Sequence, residues 1–331
     1  MISFRMIYRK FSNTGWNVSE IGLGCWAIGS EWGDVTQEDA REVLKTSLDK
    51  GINFFDTADV YGDGRSEQFV GELLKSTSEK IYVATKSGRR LNPHNSEGYN
   101  PQNIESFIDR SLKNLGVECI DLLQLHCPPS DVCSKKETYE MMDDIVQKGK
   151  ILHYGVSVEK VSEAMEAIQF PNVKSIQIIF NMFRQKPSEE FFNEAAKRDV
   201  AIIARVPLAS GLLTGKMNKD SSFPSNDHRN YNIKGEAFDV GETFSGVSFE
   251  KGLEAVEELK ELLPENFTLA DFALKWILMH DEVTVAIPGA KNKQQASLNV
   301  NSTDLDEISE LMPSIKNIYD KYFREDIHHR W

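Results

Sequence analysis

The sequence predicts an α/β protein folded as a (β/α)8 TIM barrel, with an N-terminal β-hairpin before the barrel and extra C-terminal helices after it. Two observations predict this. Short apolar runs rich in Val, Ile and Phe alternate with amphipathic stretches, and there are eight of them, a number that favours a closed parallel barrel over an open doubly wound sheet. No interdomain linker or low-complexity tract breaks the alternation, so residues 1–331 read as one barrel domain.

In chain order the runs are IGLGCW (21–26), NFFDTA (53–58), IYVATK (81–86), DLLQLH (121–126), HYGVS (153–157), SIQIIFN (175–181), AIIARVPL (201–208) and TVAIPG (284–289), each read as a buried strand. Between the first two, TQEDAREVLKTSLDKG offers Thr36 and Asp39 as a capping box, Ala40, Val43, Leu44 and Leu48 as one apolar stripe, and Gly51 as the stop. NPQNIESFIDRSLKNLG repeats the design with Pro101 near its start and Gly116 at its end, and SEEFFNEAAKRD (188–199) is expected to start at Ser188 as N-cap. The stretch 209–248, rich in Gly, Ser, Asn and Asp, is too long for an ordinary strand-to-helix connection and reads as a loop over the active face. Segments 249–263 and 268–280 both read as helices, so one is additional to the repeat. A short helix from about Asn292 and a longer one from Leu305 are expected after the last run.

Composition narrows the function. Lys plus Arg number 38 against 51 Asp plus Glu, a net charge of −13, which argues against nucleic acid or an anionic membrane surface as the main ligand. A membrane span needs about 18 consecutive apolar residues, and none is present. The start, MISFRMIYRKF, lacks the apolar core of a secretory signal, so a cytoplasmic protein is expected. Cys25, Cys119, Cys127 and Cys133 include no C-x-x-C pair and predict reduced thiols. Cys127, beside a strand-end histidine, reads first as a small buried hydrophobe. In the tail, His328 and His329 are adjacent, which is not metal-ligand spacing; no metal is expected, and the segment ending at Trp331 is expected to pack on the barrel.

A barrel interior is filled by apolar side chains, so charged residues at the carboxyl ends of its strands need a reason, and that end carries the active site in barrel enzymes. Asp56, Lys86 and His126 end the second, third and fourth runs, and Tyr61 follows Asp56 closely. The set suits acid-assisted reduction of a carbonyl. A phenol is a weak acid near neutrality, and a neighbouring ammonium is expected to lower its pKa; Lys86 supplies that ammonium, Asp56 keeps it charged, and His126 offers a second hydrogen bond to the substrate oxygen.

With these residues in place, the chain resembles the aldo-keto reductase family over nearly its whole length. The resemblance is carried by NTGWNVSEIGLGCW (13–26), GINFFDTADVYGDGRSE (51–67), ATKSG (84–88), DLLQLH (121–126), GVS (155–157), Q-x-x-F-N (177–181), PLASGLLTGK (207–216) and IPGAK (287–291). Their arrangement is most similar to the bacterial branch that includes inositol-utilisation and general stress reductases. The resemblance implies Asp56, Tyr61, Lys86 and His126 as a catalytic tetrad with Tyr61 as general acid, a small-molecule carbonyl or alcohol substrate, and NADP(H) as preferred cofactor with NAD(H) possible. It implies further that Ser157 and Gln177 hold the nicotinamide carboxamide, with Val158 where the family usually has Asn. Arg205 stands where an aromatic often stacks on the nicotinamide, able to stack itself or to pair a phosphate. Leu208, Ser210, Gly211 and Lys216 are implied at the pyrophosphate, and Gly289, Lys291, Gln295 and Asn299 around the adenosine. Lys291 and Lys293 are the expected 2′-phosphate ligands, the alternative being two solvated surface charges. Trp26 and Asp56 also border the cofactor, and Trp26, Trp32, Tyr61 and His126 the substrate, while Phe183 is expected in the core. Family sequences often start near the equivalent of Met6, which makes residues 1–5 an expected extension.

Two other readings are open at this point. A nucleotide-sensing regulatory subunit of the same fold would keep the tetrad with little turnover. A barrel aldolase would use Lys86 in a Schiff base, against which Tyr61 and the pyrophosphate loop argue.

Overall fold

The computed structural model describes residues 6–29 and 32–331; the proposed extension at residues 1–5 lies outside them. Strands β1 (Tyr8–Phe11) and β2 (Trp16–Ser19) form an antiparallel hairpin. Eight parallel strands follow: β3 (Leu23–Gly24), β4 (Phe54–Asp56), β5 (Tyr82–Ser87), β6 (Ile120–His126), β7 (Ile151–Ser157), β8 (Val173–Ile179), β9 (Ala201–Arg205) and β10 (Val283–Ala286). Each pairs with the next in sequence, and parallel bridges Ile21 to Ala286 and Gly24 to Gly289 join the first edge to the last, closing the (β/α)8 barrel.

Period-two alternation fills the barrel. Phe54, Tyr82, Ala84, Leu122, Ala201, Ile203, Val285 and Ile287 form an inner apolar cluster, and Phe11, Trp16 and Val18 of the hairpin cap it from the amino-terminal end, where Trp16 stacks on Tyr82 at 4.6 Å. Outward residues such as Phe55, Val83 and Leu123 belong to the larger core beneath the helices. At Gly155 a Cβ would lie 2.1 Å from Ser175 Oγ and 2.5 Å from its carbonyl, so only glycine lets β7 and β8 pair here.

The helices refine several sequence expectations. Helix Gln37–Asp49 is capped by Thr36, whose Oγ1 accepts from Asp39 N at 3.0 Å; Asp39 returns to the Thr36 hydroxyl rather than to its backbone, so the box is half made. Helix Pro101–Leu115 ends on Gly116 at φ +68°. The helix expected over 188–199 is two pieces, Lys186–Glu190 and Phe192–Lys197, and Ser188 is inside the first rather than its cap. Pro187 sets an earlier start, and the break lets the adjacent Phe191 and Phe192 both be buried. The helix expected from Leu305 begins at Met312, where Pro313 fits its first turn, after two short 3₁₀ turns. The additional helix is Phe249–Glu261, held to the C-terminal helix Met312–Tyr322 through Glu258 and Lys321. Phe183 is buried against Phe323, and Trp331 is buried too, its indole N–H donating to Asp239 at 3.1 Å and its ring 4.0 Å from the Arg184 guanidinium.

Candidate active site

The alternation that fills the barrel also builds its mouth. With Ala84, Leu122 and Ile203 facing inward, residues two or four further along the same strands, Lys86, His126 and Arg205, face inward at the carboxyl end. Ser157 and Gln177 sit in register there, paired as backbone neighbours on β7 and β8. Tyr61 comes from the turn after β4, which crosses Gly29 so closely that a Cβ there would lie 2.8 Å from Tyr61 Cβ.

Lys86 is fully buried and donates to Asp56 Oδ1, to the Thr57 carbonyl at 2.9 Å and to the Tyr61 hydroxyl at 3.3 Å. Burial pulls the Lys86 pKa down, but Asp56 and Tyr61 outweigh it and leave it above the ordinary value, so the ammonium is charged. Burial pushes Tyr61 up to about 12, with Lys86 pulling against it; the lowered phenol pKa expected from the sequence is therefore not the resting state, because desolvation exceeds the effect of the ammonium. His126 lies edge-on to Tyr61, ring centres 5.9 Å apart, and burial followed by Arg89 and Lys86 holds it well below its usual pKa as a neutral imidazole. Its Nδ1 is buried without a hydrogen-bond partner among the described residues.

Asp56, Tyr61, His126, Ser157, Gln177 and Arg205 border one cavity of about 810 Å³, with Lys86 just beneath. Trp26, Trp32, Leu208, Ser210, Gly211, Lys216, Gly289, Lys291, Gln295 and Asn299 border it as well, so it runs from the tetrad to the turn after β10. Cys127 joins the same wall, where burial raises its thiol to about 12, away from the reactive thiolate.

The loop 209–248 is ordered into short turns, and it closes one side of the cavity with Arg229, Phe238 and Glu242. Residues Val206, Ala209, Ser210, Gly211 and Gly215 all have left-handed backbone, with φ from 46° to 98°. Such concentrations of strained backbone are characteristic of ligand clamps. With Lys216, Arg229 and Lys291 bordering the same cavity, and the last two sharing Asp227, the residues present fit an elongated, anionic nucleotide.

Two placements differ from expectation. Lys293 is outside the cavity, paired with Glu42 at 3.0 Å, because its helix turns that side toward Gln37–Asp49; Lys291 alone of the two borders the site, 3.8 Å from Asp227. Arg205 is not free to swing. It pairs with Glu242 at 2.5 Å and Glu159 at 3.0 Å, and Arg89 pairs with Glu159 at 2.9 Å, making a network at the cavity wall in which Arg205 and Glu242 are buried and Arg89 and Glu159 partly so. Burial works against ionisation of Glu159, but Arg205, Arg89 and Arg184 outweigh it and hold the group down to about 2.

Sequence reasoning missed Arg89, Glu159, Glu242, Asp227 and Arg229. Arg89 and Glu159 follow the ends of β5 and β7, so the strand-end argument that selected Lys86 would have found them. Glu242 and the Asp227–Arg229 pair lie on the long loop and carry no such positional signal.

A closed barrel with a buried ammonium–carboxylate pair, a phenol and a neutral imidazole at the mouth of a long cavity has the form of an oxidoreductase acting on carbonyl groups. The model of the Aldo/keto reductase family matches residues 20–320, and the chain belongs to that family. Among its relatives, the chain is 29% identical over 320 residues to "Aldo-keto reductase YhdN" of Bacillus subtilis, covering 93% of this chain and 94% of that one. It is 28% identical over 292 residues to "Aldo-keto reductase yakc [NADP(+)]" of Schizosaccharomyces pombe, covering 86% and 82%. The solved structure of the glycerol dehydrogenase AKR11B4 from Gluconobacter oxydans is similar with a TM-score of 0.77 at 28% identity, covering 97% of both chains. No helix among the described residues is long and apolar enough to cross a membrane.

Proposed function

We propose that this protein is an NADP(H)-dependent reductase of aldehydes or ketones in which Tyr61 is the general acid. The observation that carries the reading is the chain from Asp56 through Lys86 to the Tyr61 hydroxyl, ending beside neutral His126 inside the cavity. The chemistry supplied by a bound nicotinamide nucleotide is donation of hydride to the carbonyl carbon.

The chain's own residues manage the proton. Tyr61, with its pKa raised to about 12 mainly by burial, keeps its proton through the neutral range and so has one to give. An alkoxide forming on the substrate is more basic than a phenolate, which makes the transfer favourable, and the Lys86 ammonium at 3.3 Å stabilises the phenolate left behind. Asp56 holds Lys86 in place and in its charged form. His126, neutral and donating from one ring nitrogen, steadies the substrate oxygen beside Tyr61.

Ser157 and Gln177 are the residues we assign to the nicotinamide carboxamide, the left-handed loop after β9 with Lys216 to the pyrophosphate, and Gln295 with Asn299 to the adenine end. Arg205, fixed by Glu242 and Glu159, forms a flat wall there. Preference for NADP(H) rests on Lys291, with Arg229 near it, and is supported by the NADP(+) in the name of the Schizosaccharomyces pombe relative. Oxidation of NADPH and NADH followed across a panel of aldehydes, ketones, sugars and inositols tests the proposal. Turnover of simple aldehydes with NADPH is expected; no nucleotide oxidation with any carbonyl would overturn it.

A further inference from the structure

At the tetrad end of the cavity, one cation has hydrogen-bonding capacity that the chain itself leaves open. Arg89 follows the end of β5, past Gly88 at φ +124°, where a Cβ would lie 2.5 Å from the Tyr99 hydroxyl. That hydroxyl bonds His94 Nε2 at 2.9 Å, so the turn that brings Arg89 to the cavity is fixed from behind. Only Nη2 of Arg89 meets acceptors among the described residues, Glu159 at 2.9 Å and Glu242 at 3.5 Å. Nε and Nη1 meet none and, unlike Arg205 Nε, are not sealed from solvent; 21% of the side chain is exposed, and Arg89 borders the cavity. After burial, Arg89 is the strongest influence holding the His126 pKa down, ahead of Lys86, which puts its charge close to the tetrad. An acceptor is open beside it. Phe238, whose ring centre is 6.0 Å from the guanidinium, and Glu242 bracket Asp239 in the chain, and Asp239 borders the cavity too. Its Oδ1 accepts from Gly241 N at 2.7 Å and Trp331 Nε1 at 3.1 Å, while Oδ2 accepts nothing from the described residues.

The charges around these groups select the ligand. Arg89 and Arg205 share the cavity border with three carboxylates, Glu159, Glu242 and Asp239, so a carboxylated substrate would meet more like charge than opposite charge at this end. A hydroxyl carries no charge and matches both an open donor and an open acceptor. We propose that Arg89 is a specificity-determining residue for hydroxylated carbonyl compounds: with the substrate carbonyl at Tyr61 and His126, Arg89 donates to the oxygen of a neighbouring hydroxyl and Asp239 Oδ2 accepts the hydrogen bond that this hydroxyl gives. The assignment rests on the carbonyl-reduction reading above and names which carbonyls the cavity favours.

The test measures kcat/KM at saturating NADPH for two matched pairs: glyceraldehyde against propanal, the same carbon chain with and without hydroxyls, and succinic semialdehyde against butanal, the same carbon chain with and without a carboxylate. Wild-type protein is expected to use glyceraldehyde better than propanal and succinic semialdehyde less well than butanal. In Arg89→Met the glyceraldehyde-to-propanal ratio is expected to fall about tenfold or more, the effect of losing a hydrogen bond to a charged group. Hydration of each aldehyde in water is the same for every variant and cancels in that comparison. If Arg89→Met does not fold, Asp239→Asn decides: it keeps Oδ1 for Gly241 and Trp331 and removes only the open acceptor, and the same ratio should fall several-fold. A ratio unchanged in the variant, or wild-type preference for succinic semialdehyde over butanal, overturns the hydroxyl assignment alone. Wild-type protein that reduces none of the four aldehydes defeats the carbonyl-reduction reading instead.

Discussion

Asp59, between Asp56 and Tyr61, is the side chain whose ionisation the fold opposes most plainly. It is fully buried, and neither carboxylate oxygen has a hydrogen-bond partner among the described residues. Burial raises its pKa from 3.8 to about 7, with Glu67 adding to the rise and Arg90 and Arg110 opposing it. The folded pKa lies above the unfolded one, so the folded chain holds the extra proton and the stabilisation is complete below pH 3.8 and lost as pH rises toward 7. Three units correspond to about 4 kcal/mol, an upper bound because local relaxation and water entry reduce it. Asp59→Asn removes the ionisation while keeping the shape. Chemical denaturation at half-unit intervals from pH 4 to 8 should show the variant gaining on the wild type by up to about 1.4 kcal/mol per pH unit and levelling off above pH 7. Parallel stability profiles would refute the assignment, since other carboxylates contribute equally to both proteins.

Three further outcomes follow from the site. Lys86→Met should lower turnover by about 10²-fold or more and cost roughly 3–5 kcal/mol of stability, because Asp56 is left as a buried carboxylate without its cation; unaltered kcat or unfolding would remove the ion pair's proposed role. Lys291→Ala should weaken NADPH about tenfold while sparing NADH, with the difference shrinking in added salt; Asp227 beside it keeps the effect at this modest level, and equal losses for both nucleotides would contradict the 2′-phosphate assignment. Glu242→Gln should loosen the long loop from Arg205 and raise the nucleotide dissociation rate several-fold, read by stopped-flow fluorescence, whereas an unchanged rate would show that the pair does not retain the loop.

The parts of this structure that were legible in the sequence are those governed by strict periods. Eight apolar runs became eight strands, and period two explains why polar residues at their ends, from Asp56 to Arg205, gather at one mouth. Boundaries were less legible where local chemistry competes: β3 stops at Gly24 because Trp26 already begins a helical turn, and the pair Phe191–Phe192 interrupts a helix that its polar pattern would have continued. Charge partners across the fold were not legible. Nothing near Lys293 in the chain announces Glu42, 251 residues away, and nothing in the loop announces that Glu242 meets Arg205. The raised Tyr61 pKa is not legible for a related reason: its neighbouring ammonium follows from strand order, but the depth of its burial depends on how Trp26 and the surrounding loops pack.

Proton donation by Tyr61 during carbonyl reduction is the centre of this account, and Tyr61→Phe tests it most directly. Single-turnover reduction of an aldehyde by NADPH should slow by about 10² to 10⁴-fold, while the nucleotide dissociation constant stays within about twofold of the wild type. A variant that retained more than about half of the wild-type single-turnover rate would contradict it.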